Sequence, residues 1–379
     1  VATEGGRIVA IETGFAAPAG AARVDLAGRF LCPGFVDLHV HGGAGADFMD
    51  ATAAAFESVC RAHARHGTTA LTPTSTIASR DRTLAFLRLC RELRGAATGG
   101  ARIVGAHLYG PFFAPAAAGC HPVNCHAPPS SADVREFLGA AGDSLRSVTI
   151  APEIDGAAEF YRAFQGAGVR CNIGHSHATF EQVEAAIGWG ARHVDHLFCA
   201  MSDRARLRQS QTYPMRGGVM EATLYFEELT TEVIADGRHL APELLKLALK
   251  IKGPDRLALV TDAMRGLDMP DGEYWFGAEG EGERVRKQDG VGVTLDGKAL
   301  ASGVQGMDAG VRTMHRSAGV SLTEAVRMAR LAPATMLGLE REIGGLAVGM
   351  RADLVVLDSQ LQVERTYVGG ELVWNPAQT

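Results

Sequence analysis

Two histidines, His39 and His41, have the residue type and spacing best suited to chemistry. They lie near the end of an apolar run that begins at Gly34 and is typical of a β-strand. Because side chains alternate between the two faces of a strand, we expect Asp37, His39 and His41 to face one side and Leu38 to face the other. Two imidazoles on one face can bind a divalent ion. The alternative is that both rings form hydrogen bonds inside a protein core.

Two further histidines, His175 and His196, follow later apolar runs. Each falls at the end of a predicted strand, so both would face the same rim as the first pair. Alone, either is best explained as a structural residue held by hydrogen bonds. As a third and fourth imidazole at equivalent positions, they are better explained by a metal ion or a substrate. His177 lies in the loop beyond His175 and is the weaker candidate.

Asp262 ends the last of these apolar runs, in the segment Leu-Val-Thr-Asp-Ala-Met. A carboxylate at that position can accept a proton from a water molecule activated by a metal ion and return it to a leaving amine. The alternative role is structural, as a cap of the following helix. Together with the histidines, this aspartate indicates metal-dependent hydrolysis.

The elements that position these residues recur at the spacing of a (β/α)₈ barrel, about 25–40 residues apart. The predicted strands are Gly34–His41, Thr68–Thr72, Ile103–Tyr109, Val148–Ala151, Val169–Ile173, His193–His196, Thr231–Ala235 and Leu257–Asp262. Amphipathic segments between them predict helices, which include Ala51–His66, Arg80–Arg94, Phe180–Trp189 and Pro242–Ile251. A Rossmann sheet is the weaker alternative, because no Gly-x-Gly-x-x-Gly turn follows a predicted strand.

The two ends of the chain predict a second domain. Short strands are expected in Gly6–Leu31 and in Gly344–Trp374, and neither set could bury a face alone. We therefore predict a small β-sandwich from residues 1–33 and 344–379, beside a barrel from 34 to 343. Within the barrel, Gly272–Ala299 is expected to form a hairpin-like excursion, and Ser321 to cap the last helix.

Composition excludes several function classes. The 379 residues carry a net charge of −6, with no basic surface that would suit nucleic acid. No apolar run approaches the roughly 20 residues that span a bilayer. Seven scattered cysteines argue against a disulfide framework, and no signal peptide is visible, so we expect a cytoplasmic protein.

The order of the motifs resembles one family over essentially the whole chain. The motifs are His-x-His, Gly-His-Ser, Asp-His-Leu-Phe-x-Ala-Met, Ala-Asp-Gly-x-His, Val-Thr-Asp-Ala-Met and a terminal Ala-Asp-Leu-Val-Val-Leu-Asp. This series resembles the N-acetylglucosamine-6-phosphate deacetylases of the amidohydrolase superfamily. His-x-His and the late aspartate are shared across the superfamily, whereas the Gly-His-Ser, His-Leu-Phe and Asp-Gly-x-His motifs are narrower.

The resemblance implies roles for particular residues. His175 and His196 would bind the metal ion, with His39 and His41, and Asp262 would be the general acid and base. Substrate contacts would come from His121, Cys199, Ala200, Arg216, Gly237, His239 and Met307. The ion would be zinc, or iron or another divalent metal, and the protein would be a homodimer.

The chain departs from the family at three places. Tyr109 stands where the family has a metal-binding glutamate, so we expect one ion per chain, and Glu153 is not expected to substitute. Cys199 replaces an asparagine at the presumed sugar site. The phosphate-binding arginine is not at its usual position, which leaves Arg206, Arg208 and Arg216 as candidates.

A cluster of two cysteines and two histidines between Gly119 and His126 lacks the separated pairs of a structural zinc site. We interpret it as an active-site loop.

The sequence therefore predicts hydrolysis of the N-acetyl group of an amino-sugar phosphate. A second hypothesis is another amidohydrolase reaction, such as a deaminase or a cyclic-amide hydrolase with one metal ion. A third is a metal-binding paralogue without turnover, which the presence of Asp262 and four histidines argues against.

Overall fold

Eight parallel strands form a closed barrel in the computed structural model, which describes residues 1–14, 20–125, 127–209 and 214–378. In chain order they are β1 Phe35–Val40, β2 Thr68–Pro73, β3 Ala106–Phe112, β4 Leu145–Ile150, β5 Arg170–Ile173, β6 Ala191–Val194, β7 Thr230–Ile234 and β8 Leu257–Val260. Strands β3 to β8 pair in order, and β1 pairs with β2. Parallel bridges from Val40 to Ala263 and from Thr74 to His107 join the two sets. The predicted fold class is confirmed.

Helices cover the outside of the barrel. They are α1 Ala53–Arg65, α2 Arg80–Leu93, α3 Ser131–Ala141, α4 Ala157–Gly166, α5 Phe180–Trp189, α6 Arg204–Leu207, α7 Val219–Tyr225, α8 Pro242–Lys252, α9 Met307–Arg312 and α10 Leu322–Met336. The four predicted helices are present, with ends shifted by two residues at most. Ser321 accepts a hydrogen bond from Glu324 N at 3.2 Å and so caps α10, as predicted. No helix of the described residues is long and apolar enough to cross a membrane.

Strands from both ends of the chain form the separate β-sandwich domain. Phe30–Pro33 pairs antiparallel with Leu354–Leu357, and Val363–Val368 and Glu371–Trp374 extend that sheet. Ala2–Glu4 and Arg7–Ala10 form a hairpin beside it. Where this domain meets the barrel, Arg102 binds the buried Asp353 through two nitrogens, at 2.9 and 3.2 Å. The boundaries of the domain at residues 33 and 344 stay a prediction.

The excursion after β8 has three strands where a hairpin-like pair was predicted. Gly272–Phe276, Glu283–Gln288 and Val291–Thr294 form an antiparallel meander. A turn at Asp296 and Gly297 follows the third strand, and in it the Gly297 amide donates to the Thr294 carbonyl at 2.8 Å. The first strand ends at Phe276, whose ring lies 5.0 Å from that of His41. The meander therefore lies against the rim where the predicted chemistry is located.

An extra residue in β1 changes which side chains face inward. Asp37 pairs with Leu71 and Val40 pairs with Pro73. Between these two pairs β1 advances by three residues and β2 by only two, so β1 contains one extra residue. Such a bulge breaks the alternation of side chains. Asp37 consequently accepts from Thr261 Oγ1 at 2.5 Å and lies 3.8 Å from His63 of α1.

Leu38 lines a small cavity inside the barrel with Asn172 and Glu232. The prediction that Asp37 faces the interior and Leu38 faces the helices is therefore wrong. His39 and His41 still face inward, as predicted. The bulge thus places both imidazoles at the rim, although Asp37 faces away from the barrel interior and Leu38 faces into it.

Candidate active site

The His39 ring is fixed from one side and open on the other. Its Nδ1 lies 2.6 Å from Oε1 of Glu232, a buried residue of β7. A carboxylate can only accept, so Nδ1 carries the proton and Nε2 keeps a lone pair. Nε2 is buried, has no hydrogen-bond partner among the described residues and lies 3.5 Å from Asp262 Oδ1. Burial lowers the pKa of His39 well below its usual value, so the ring is neutral at physiological pH.

His41 presents a second ring nitrogen to the same point. Its Nδ1 lies 3.2 Å from the Thr74 carbonyl, which can only accept. Its other ring nitrogen, Nε2, lies 3.1 Å from Asp262 Oδ1. Burial raises the pKa of Asp262, but the positive charge and hydrogen bond that the His39 and His41 rings supply when protonated outweigh burial and hold the pKa well below its usual value, so the carboxylate is ionised.

When both rings are neutral, three acceptors meet at this point. The ligand atoms of His39, His41 and Asp262 lie within 4.8 Å of one another, and all three residues are buried. Lone pairs gathered in this way repel one another unless a cation lies between them. Two imidazole nitrogens and a carboxylate oxygen are ligands that zinc and related divalent ions accept. The residues present therefore fit a metal ion.

His175 and His196 lie beside this set. The ring centroid of His196 is 5.5 Å from that of His39 and 5.2 Å from that of His175. Nδ1 of His175 lies 2.8 Å from the Ala117 carbonyl, and its ring stacks on Phe113 at 4.2 Å. Nδ1 of His196 is buried and has no partner among the described residues.

The backbone at the ends of β5, β6 and β8 is strained in the same way. His175, His196 and Asp262 have φ values of +44°, +21° and +45°, a region that residues with a Cβ atom rarely adopt. Each conformation costs about 1–3 kcal/mol and persists where the surroundings enforce it. Such residues cluster at functional sites, and here the strained positions coincide with the predicted ones.

Tyr109 occupies the space between the histidines. Its hydroxyl lies 2.6 Å from Nε2 of His196, and its ring centroid lies 4.6 Å from that of His39 and 5.3 Å from that of His175. Burial raises the pKa of this phenol well above its usual value, so it stays neutral. A neutral phenol is a poor replacement for a metal-binding carboxylate.

Several predicted substrate residues surround the rim. The His121 ring lies 5.0 Å from that of His175, and His121 Nδ1 accepts from the Ile77 amide at 3.2 Å. Burial, together with the charges of Asp262 and Asp236, raises the pKa of the Cys199 thiol to about 12. The residue beside it, Ala200, has a φ of +49°.

The segment after β7 contributes two more predicted residues. Nδ1 of His239 lies 2.7 Å from Oδ2 of Asp236, a contact that holds the ring in place. Gly237, between them in the chain, adopts a φ of +74°, which glycine accepts without strain.

Other predicted residues lie away from the histidines. Met307 is buried in an apolar cluster with Leu259 and Val311, which does not support its predicted contact with substrate. Arg216 is exposed and forms an ion pair with Glu181. Arg206 is exposed on α6, Arg208 is exposed just after it, and His126 lies outside the described residues.

Glu153 and His177 form a contact of their own. Glu153 accepts from Ser176 Oγ at 2.7 Å and from the His177 backbone amide. This carboxylate therefore supports the loop that follows His175, which agrees with the expectation that it is not a metal ligand.

The sequence interpretation missed two buried carboxylates. Glu232 contacts His39, and Asp195 precedes His196 and accepts from Thr149 and Asn172 at 2.5 and 2.8 Å. The available signal was an acidic residue inside a run that is otherwise typical of a buried strand, since such a charge needs a partner.

The chain is similar in sequence to known proteins over most of its length. Residues 30–373 match the model of the Amidohydrolase family. The chain is 34% identical to the N-acetylgalactosamine-6-phosphate deacetylase of Escherichia coli O157:H7, over 91% of this chain and 88% of that protein. It is 33% identical to the N-acetylglucosamine-6-phosphate deacetylase of Vibrio furnissii, over 99% and 90%.

Among solved structures, a similar one is a mutant N-acetyl-D-glucosamine-6-phosphate deacetylase from Mycobacterium smegmatis in complex with N-acetyl-D-glucosamine-6-phosphate. The TM-score is 0.87 at 34% identity, and the match covers 97% of this chain and 93% of that one.

Proposed function

The chain belongs to the amidohydrolase family, in the branch of the N-acetylglucosamine-6-phosphate deacetylases, and on that premise we propose that it removes the N-acetyl group from an N-acetylhexosamine 6-phosphate. N-acetylglucosamine 6-phosphate is the expected substrate, and its N-acetylgalactosamine isomer is the second candidate because one relative carries that name. The observation that carries the proposal is the meeting of two imidazole nitrogens and a carboxylate oxygen at the barrel rim.

The family is metal-dependent, and we assign this chain one divalent ion, zinc in the first instance. His39, His41 and Asp262 would hold it, and the family resemblance adds His175, which follows β5, as the fourth ligand. Tyr109 supplies no second carboxylate, which supports one ion and not two. When bound, the ion lowers the pKa of water toward neutrality and polarises the acyl carbonyl.

Asp262 is the proton carrier in this mechanism. Its carboxylate lies beside the nitrogens that would hold the ion, where it can accept a proton from the attacking water. The same oxygen then donates that proton to the nitrogen of the breaking amide bond. The C–N bond breaks, and the products are acetate and the free amino sugar.

His196 is suited to bind the acetyl carbonyl. The Tyr109 hydroxyl lies 2.6 Å from His196 Nε2, and when the hydroxyl donates this bond the neutral imidazole carries its proton on Nδ1. That N–H is buried and has no acceptor among the described residues. A substrate carbonyl would satisfy it, and the bond would strengthen as charge develops on the carbonyl oxygen.

The direct test is release of acetate from N-acetylglucosamine 6-phosphate by zinc-loaded protein. We expect turnover with the phosphorylated sugar and far less with N-acetylglucosamine itself. Turnover of nucleobases or cyclic imides without acetate release would favour another amidohydrolase reaction. Protein that binds zinc and the sugar phosphate but never releases acetate would favour the paralogue without turnover.

Arg206 is the proposed phosphate contact. Arg216 is already paired with Glu181. Arg206, in contrast, is close enough to the loop after His175 that its charge, together with burial, lowers the pKa of His177. A charge-assisted bond is worth about 1.5–3 kcal/mol, so Arg206→Ala should raise KM by about 10–100-fold with little change in kcat. Arg208→Ala is the matched control. Equal effects of the two variants would refute the assignment.

Tyr109→Glu tests the account of the single ion. The new carboxylate would lie between His39, His175 and His196 and complete a second set of ligands. We expect zinc per chain, measured by plasma emission spectrometry, to rise from one toward two. Tyr109→Gln has the same length without the charge and should stay at one. An unchanged ratio in the glutamate variant would contradict this account.

A cytoplasmic location and a homodimer complete the proposal. The described cysteines are free thiols, which suits a reducing compartment. Sedimentation velocity of the purified protein tests the dimer directly.

A further inference from the structure

Glu232 is a buried carboxylate that none of the sequence motifs explains. It lies in β7 and is 1% exposed. Its Oε1 accepts from His39 Nδ1 at 2.6 Å and from the His196 backbone amide at 3.3 Å, and its Oε2 lies 3.1 Å from His193 Nε2. One side chain therefore contacts His39 in β1, His193 in β6 and His196 just after β6.

We propose that Glu232 is the positioning residue of the metal site, which fixes the tautomer and the direction of the His39 ring. This inference rests on the proposed function only in requiring that the site binds a divalent ion. An acceptor on Nδ1 leaves the lone pair of His39 on Nε2 and aims it at Asp262. Carboxylates that hold the far nitrogen of a ligating histidine raise its basicity and contribute to metal affinity.

His193 holds Glu232 from the opposite side. Burial lowers the pKa of His193 to about 4, although its bond to Glu232 acts against this, so the ring is neutral. Its single N–H then belongs to Nε2, which faces Glu232, and Nδ1 lies 2.7 Å from the Thr230 hydroxyl. A chain of buried hydrogen bonds thus runs from Thr230 through His193 and Glu232 to His39.

Asp195 does not compete for His39. Its ligand atoms lie within 4.8 Å of those of His39 and Glu232, but Thr149 and Asn172 donate to its two oxygens. Burial and the charge of Glu232 raise the pKa of Asp195 well above its usual value. Glu232 is therefore the carboxylate that accepts the His39 N–H.

The contact with the His196 amide gives Glu232 a second positioning role. His196 has a φ of +21°, a conformation that its surroundings must enforce. The same oxygen that holds the His39 ring accepts this amide, so the relative position of the two histidines depends on one side chain.

The experiment compares Co²⁺ binding by Glu232→Gln with that of the unmodified protein. The amide keeps the size of the side chain but removes its charge and turns one acceptor into a donor that opposes His39 or His193. We expect the Kd for Co²⁺, measured by chelator competition, to rise by about 10–100-fold. The visible absorption of the bound Co²⁺, which reports ligand geometry, should also change.

Two further variants separate positioning from general destabilisation. Asp353→Asn removes a buried carboxylate that pairs with Arg102 far from the histidines, so it should lower stability and leave the Kd and the spectrum unchanged. His193→Gln removes the support behind Glu232 without touching His39, and it should raise the Kd by a smaller factor even if Glu232→Gln folds poorly.

The outcomes distinguish this inference from the proposed function. Wild-type affinity and spectrum in both Glu232→Gln and His193→Gln would overturn the positioning role alone. Protein that binds Co²⁺ normally but releases no acetate from either hexosamine phosphate would contradict the proposed function and leave the role of Glu232 intact. Protein that binds no divalent ion would contradict both.

Discussion

Replacing Asp262 with asparagine should lower kcat by about 10²–10⁴-fold, the usual contribution of a positioned proton carrier. The amide cannot accept the proton of the attacking water, nor can it return one to the leaving nitrogen. It can still offer an oxygen to the ion beside His39 and His41, so metal binding should weaken without being lost. Acetate release at saturating zinc, together with metal analysis of the same sample, measures both effects.

Asp268→Asn is the control for this substitution. Asp268 is also an aspartate with a positive φ, of +60°, but it binds His66, outside the set of histidines at the rim. It should keep normal turnover. Near-normal kcat in Asp262→Asn would refute the role of Asp262 as proton carrier. An equal loss of kcat in Asp262→Asn and Asp268→Asn would show that the loss comes from impaired folding and not from a missing proton carrier.

Removal of the metal ion should abolish turnover and lower the thermal unfolding midpoint. Without a cation, two lone pairs and an ionised carboxylate face one another in a buried site, a cost that the bound ion offsets. A ligand present at 100 times its Kd stabilises the folded state by about 2.7 kcal/mol. Dialysis against a chelator, followed by calorimetry and an acetate assay, measures both losses.

Readdition of ions provides the control for the chelator experiment. Zn²⁺ or Co²⁺ should restore activity and midpoint together, whereas Mg²⁺ should not, because it prefers all-oxygen ligand sets. Full activity in protein shown to be free of metal would contradict this prediction.

The repeat of short strands and amphipathic helices was readable in the sequence because each barrel unit is local. The predicted strands overlap the observed ones, and the site histidines fall at strand ends, where the fold itself directs them to one rim. His39 and Asp262, more than two hundred residues apart in the chain, could be brought together by this rule alone.

The rest depended on contacts that a linear pattern does not contain. The bulge in β1 reversed the predicted facing of Asp37 and Leu38. It could not be predicted, because the register of β1 depends on its pairing with β2 and not on the sequence of β1 alone. Glu232 was missed because its partners, His39 and His193, come from other strands. The departure at Tyr109 was visible, but its hydrogen bond to His196 was not.

An anomalous difference map from a zinc-soaked crystal, collected at the zinc edge, tests the central claim most directly. The account predicts one strong peak per chain, bounded by His39 Nε2, His41 Nε2 and Asp262 Oδ1. No peak at that point under metal-replete conditions, or a peak bound by other residues, would contradict it.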